Sequence, residues 1–135
     1  MQLEKFGLTT AIEDMIMKVE HSTDLFITTE IENIDANFTN KTDIHVFRAI
    51  QEALNNIVKH ANATAVKVIS ENKERETLIM IFDNGQGFDH ELAIAKSKSL
   101  GLKTMHERLT SIGGKMKITK NEPSGTRIEF SILKR

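Results

Sequence analysis

Glu52, Asn56 and Lys59 carry the three groups most able to handle a ligand, and they stand at i, i+4 and i+7 within FRAIQEALNNIVKHAN, residues 47–62. At about 100° per residue, a helix stacks this carboxylate, amide and ammonium on one face. Such a set can move a proton, offer a hard oxygen ligand to a cation and neutralise phosphate charge. Asn55 lies beside them. Paired asparagines in mid-helix are poor helix formers, because their amides compete for backbone hydrogen bonds. Taken alone, the face reads first as a solvated surface carrying two unfavourable residues.

A second group follows the apolar run from Leu78 to Phe82: Asp83-Asn84-Gly85-Gln86-Gly87-Phe88. An Asp ending a buried strand can hold its carboxylate in a fixed direction inside a pocket. Gly85 and Gly87, two residues apart, let backbone come close to a flat ligand. As a turn, DNG is common and means little by itself. Gly101 opens a further predicted helix, whose free N–H groups suit an anion. GxxxxGK[ST] is absent, and no GxGxxG opens a helix after a strand.

The elements that position these residues follow from periodicity. Leu8, Ala11, Ile12, Met15, Ile16 and Val19 predict a helix over Thr9 to His21, entered by a bend at Gly7. Leu25, Ile27, Thr29 and Ile31 alternate as in a strand, and residues 35–40 are turn-like. The central helix has Phe47, Ile50, Leu54, Ile57, Val58 and Ala61 on its core stripe, with Thr42 or Asp43 as N-cap and an end near Ala61–Asn62. Residues 65–70 and 78–82 form a hairpin, and the second strand, continuously apolar, is expected to be covered on both sides. Residues 90–99 hold few apolar anchors and read as a mobile loop or lid. Leu102, Met105, Leu109 and Ile112 define a helix closed by Gly113-Gly114, and two terminal strands join through Pro123-Ser124-Gly125. This order gives an α+β fold: a two-layer sandwich, with a mixed sheet and helices on one face. The short connections disfavour a doubly wound parallel sheet.

At 135 residues the chain is one domain, with a net charge of −1 that offers no electrostatic case for nucleic acid or a membrane surface. It has no run of about 18 apolar residues and no signal-peptide layout. Without cysteine there is neither disulfide nor thiolate ligand, and the five histidines lack the spacing of a zinc site. Nor are Trp and Tyr present as stacking platforms.

The four stretches in order, Glu52-x-x-x-Asn56-x-x-Lys59, Asp83-x-Gly85-x-Gly87, Ser99-Leu100-Gly101-Leu102 and Ser124-Gly125-Thr126, resemble the ATP-binding domain of the GHKL superfamily, the Bergerat fold of gyrase, heat-shock chaperones, histidine kinases and MutL. QEALNNIVKHANA, GLKTMHERLTSIGG and SGTRIEFSI are most similar to sensor histidine kinases that pair with LuxR/NarL-type response regulators. The resemblance spans about Leu3 to Leu133. It implies ATP and Mg²⁺ as cofactors, with Asn56 as metal ligand and Lys59 on the phosphates. It makes Glu52 a catalytic acid–base residue assisting proton removal from an acceptor histidine. Asp83 would accept the adenine amino group, Gly85 and Gly87 would shape the purine slot, and Gly101 and Leu102 would begin the helix under the lid. Gly125 and Thr126 would lie near the adenine. Asn55 and His60 adjoin these groups, while His106 and Arg108 read as helix surface.

The resemblance further implies that residues 1–135 are a catalytic domain separated from its phosphoacceptor region, beginning just after a dimerisation helix. Its partners would be the histidine-bearing dimerisation domain of the same kinase and, downstream, a LuxR/NarL-type regulator. Neither nucleic acid nor membrane contact by this segment is implied; its place is the cytoplasm, within a kinase that can be membrane-anchored. On its own it would be inactive as a kinase. Two departures stand out. Ser99 replaces a glycine common in relatives, and the lid is short. Two other functions share the fold: ATP hydrolysis by Glu52 acting on water, and an anti-sigma-type protein-binding module.

Overall fold

The computed structural model describes residues 6–86 and 100–135. Helix α1 (Leu8–Ser22) leads into strand β1 (Phe26–Ile31), and helix α2 (Asn40–Asn56) runs into a π turn (Ile57–Ala61). Strands β2 (Ala65–Asn72) and β3 (Glu76–Asp83) follow, then helix α3 (Leu100–Ser111) and strands β4 (Lys115–Lys120) and β5 (Thr126–Leu133). The five strands form one mixed sheet in the order β1-β2-β3-β5-β4. Only β1 and β2 run parallel; the β2–β3 and β4–β5 pairs are antiparallel, as their short connections require.

Strand alternation sends one set of side chains toward the helices. Val66 and Val68 of β2, Ile79 and Ile81 of β3, and Ile128, Phe130 and Ile132 of β5 share a single core with Leu8, Ile12, Ile16, Ile50, Leu54, Met105 and Leu109. That core fixes the two-layer sandwich expected from the sequence. Helices α2 and α3 pack against each other.

Four local readings change. The N-cap of α2 is Thr39, whose hydroxyl accepts from the Thr42 N–H; Thr42 and Asp43 lie inside the first turn. The central helix does not continue regularly to Ala61, because from Ile57 it widens into a π turn. The wider turn shifts the angular phase of the residues in it. Val58, assigned to the core stripe, is therefore 45% exposed, while Ile57 and Ala61 stay buried. Among the described residues, no second layer covers the outer face of the apolar run of β3. Its outer face is shielded by neighbouring side chains: the Arg127 guanidinium lies 5.4 Å from the Phe82 ring centroid, and its Nη2 is 3.5 Å from Met80 Sδ.

The helix ends are held as the sequence implied. Gly7, at φ 87°, turns the chain into α1, and the Asp35 carboxylate accepts from the Thr9 N–H at 2.8 Å. α3 closes with the Gly114 N–H on the Leu109 carbonyl and the Gly113 N–H on that of Thr110, the Schellman pattern.

Candidate nucleotide site

Asp83 ends β3 with only 3% of its surface exposed. Its carboxylate accepts from the Gly85 N–H at 2.8 Å and from the backbone of Thr126, the first residue of β5. Burial raises its pKa above the ordinary carboxylate value, and these two hydrogen bonds oppose the rise. The Asp83 carbonyl accepts from Asn121 Nδ2 at 2.9 Å. Asn84 ties the same turn to β2: its Oδ1 accepts from the N–H groups of Thr64 and Ala65, both at 2.9 Å.

The turn lies directly on the end of the central helix. A Cβ on Gly85 would stand 2.1 Å from the Ala61 carbonyl oxygen, so only glycine permits this approach. Here the structure adds to the sequence reading, in which Gly85 served a flat ligand: its hydrogen face already meets protein backbone. Next to it, the Gln86 N–H donates to the Ala61 carbonyl at 2.9 Å, and Gln86 Nε2 donates to the His60 carbonyl at 2.9 Å. Residues 83–86 are thus fastened to the π turn that carries Lys59 and His60.

On α2, Glu52 and Asn56 are half-buried, whereas Asn55, Lys59 and His60 are exposed. Asn56 Nδ2 is shielded from solvent and has no hydrogen-bond partner among the described residues. A shielded N–H donor without an acceptor is costly, and a ligand oxygen would relieve it, while the amide oxygen is the atom able to meet a cation. Among the described residues, no three His, Cys, Asp or Glu side chains converge. A dedicated carboxylate or imidazole cage is therefore not what these residues build. One amide ligand sharing a cation with phosphate oxygens suits Mg²⁺, which rarely takes an all-protein cage.

Gly101 falls in the first turn of α3, whose leading N–H groups have no intrahelical acceptors. The Leu102 side chain is buried at 3% in the core, leaving its backbone as what it can offer a ligand. Thr126 is buried at 4%, and Gly125 adopts φ 101°. Gly87, Ser99 and the lid over 90–99 lie outside the described residues.

Sequence reasoning missed Asn84, Gln86 and Asn121. Each acts through a hydrogen bond bridging 20 or more residues, a relationship periodicity cannot register. Arg108 is half-buried, its Nε shielded and without a partner among the described residues, which differs from the helix-surface reading; His106 is exposed, in keeping with it.

This architecture is that of histidine kinase ATP-binding domains. The chain superposes with a TM-score of 0.79 on the ATP-binding domain of PrrB from Mycobacterium tuberculosis, at 19% identity, covering 95% of this chain and 94% of that one. The TM-score is also 0.79 for the histidine kinase domain of the Erythrobacter litoralis EL346 blue-light activated histidine kinase, at 16% identity, with 93% and 60% covered.

The chain belongs to the Histidine kinase-, DNA gyrase B-, and HSP90-like ATPase family, whose model matches residues 41–135. It is 32% identical over 130 residues to sensor histidine kinase LiaS of Bacillus subtilis, and 35% identical over 127 residues to sensor protein VraS of Staphylococcus aureus. These matches cover 96% and 94% of this chain and 35% of each of those proteins. Among the described residues, no helix is long and apolar enough to cross a membrane.

Proposed function

We propose that residues 1–135 form the catalytic domain of a sensor histidine kinase, binding ATP·Mg²⁺ and presenting the γ-phosphate to a histidine on a separate dimerisation domain. The observation that supports this reading is the backbone contact of Gly85 with Ala61, which joins the turn after the buried Asp83 to the π turn that carries Lys59. One element then offers an acceptor for the adenine amino group, while the other offers ligands for phosphate and metal.

Asp83 takes the adenine amino group, with Gly85, Gly87, Gly125 and Thr126 around the base. Asn56 offers its amide oxygen to Mg²⁺, which when bound neutralises phosphate charge. Lys59 and the α3 N-terminus at Gly101 and Leu102 meet the phosphates. Glu52, four residues before Asn56, takes the proton of the acceptor imidazole. Phosphoryl transfer asks for little covalent chemistry from the protein, so positioning and charge carry the rate. The similarity to LiaS and VraS supports the sensor-kinase setting, with a LuxR/NarL-type regulator downstream and the cytoplasm as the site of action.

The test is incubation of the chain with γ-labelled ATP, Mg²⁺ and a histidine-bearing dimerisation domain. Acid-labile, alkali-stable label on that domain, with almost no phosphate release by the chain alone, is the expected result. Rapid multiple-turnover release of phosphate by the isolated chain would make it a hydrolase instead.

A further inference from the structure

Gln86 follows Gly85 in the turn after β3, where its side chain could project freely into solvent; it is exposed. Instead it grips the end of the central helix at two successive carbonyls. The main-chain N–H donates to Ala61 and the side-chain Nε2 donates to His60, each at 2.9 Å. The carbonyls at a helix C-terminus have no intrahelical donors, and Asn62, at φ 52°, turns the chain away at once. Gln86 supplies what the π turn lacks.

We propose that Gln86 is a positioning residue that sets the separation between the adenine end and the phosphate end of the nucleotide site. The proposal rests on the ATP-binding reading and concerns how its two halves are joined. Asp83 is tied to Thr126 at the start of β5 and to Asn121, as well as to Gly85 of its own turn, so bonds outside the helix also hold it. Lys59 and His60 lie on a wide five-residue turn. Such turns are single-turn departures from the α-helix found often at functional sites. The Gln86 side chain is the tie reaching from the adenine turn to the residue beside Lys59. Without it, the main-chain bond to Ala61 remains, but the turn can relax, and Lys59 no longer holds the distance that a bound triphosphate needs. Since the side-chain bond is solvent-exposed, its loss leaves the fold intact.

The test uses the chain with Gln86→Ala and with Gln86→Met, which keeps the length but has no donor. Dissociation constants for ATP and adenosine are measured at fixed Mg²⁺, together with amide exchange over residues 57–62 in the free protein. Both variants should bind adenosine as the parent does, while their preference for ATP over adenosine falls about fivefold to tenfold, the worth of one hydrogen bond. Exchange over 57–62 should quicken. An unchanged ATP preference in both variants, with or without faster exchange, overturns the positioning role and leaves the ATP reading standing. If the parent itself binds neither compound, the ATP reading fails and the proposal falls with it. Using two variants guards against misfolding of one.

Discussion

The carbonyl oxygen of Asp83 lies 1.9 Å from where a Cβ on Gly125 would stand, and Gly125 holds φ 101°. The residue that ends β3 and the one that precedes β5 are thus in backbone contact, and the Thr126 N–H reaches the Asp83 carboxylate as a result. No side chain fits there. Gly125→Ala should cost about 2 kcal/mol or more, from the combined clash and left-handed backbone. Urea denaturation would measure it, and a midpoint equal to the parent's would show that the contact opens freely.

Asp83→Asn keeps one oxygen for the Gly85 and Thr126 N–H groups but replaces the other with an NH2 donor, which cannot accept from an adenine amino group. Stability should change little, and ATP affinity should fall about tenfold to a hundredfold, as for a lost hydrogen bond to a charged group. Calorimetric titration checks this, and equal affinity would remove Asp83 from the base. Because burial raises the Asp83 pKa, ATP binding by the parent should weaken on acidification before an ordinary carboxylate would protonate.

Asn56→Ala removes the proposed metal ligand and also a shielded Nδ2 that has no partner among the described residues. The expected outcome is loss of the Mg²⁺-dependent part of ATP affinity, with adenosine binding kept. Stability should not drop, since no internal hydrogen bond of Nδ2 is lost. Titrations with and without Mg²⁺ measure the difference; an undiminished Mg²⁺ effect would reassign the ligand.

Asp43, in the first turn of α2, has its pKa pushed up to about 6, first by burial and then by the Asp35 charge, with Arg135 opposing. A carboxyl raised above its unfolded value of 3.8 binds its proton more tightly when folded. Its stabilising contribution is therefore full below the unfolded pKa and is lost as pH rises through about 6. Relative to Asp43→Asn, the parent should gain stability as pH falls from 8 to 4, roughly the window of that shift. Thermal melts across the range test the sign, and a constant difference between the two proteins would refute it.

The alternation of Ile128, Phe130 and Ile132 and the stripe through Ile50 and Leu54 carried the α+β sandwich into the sequence directly, because burial repeats every second residue in a strand and every third or fourth in a helix. Chain order and spacing likewise marked Asp83 and Asn56. What stayed hidden depends on contacts distant in sequence or on local geometry without a periodic signal. Val58 is apolar and correctly spaced for the core, yet the π turn rotates it outward. Thr39 does not stand out as a cap in the sequence because Thr42 and Asp43, also good cappers, follow within one turn. Gln86 carries no signal in the sequence, since nothing local says that the His60 carbonyl lies within reach of its side chain.

The central claim is that the polar face of α2 and the end of β3 form the two walls of one ATP site. A ¹⁵N-labelled chain titrated with ATP in Mg²⁺ tests it most directly, through the backbone amide shifts. The account predicts that Glu52, Asn56, Lys59, Asp83, Gly85, Gly101 and Thr126 shift together along one binding curve, while the exposed edge strand β1 stays unmoved. Shifts confined to one wall, or centred on β1, would contradict it.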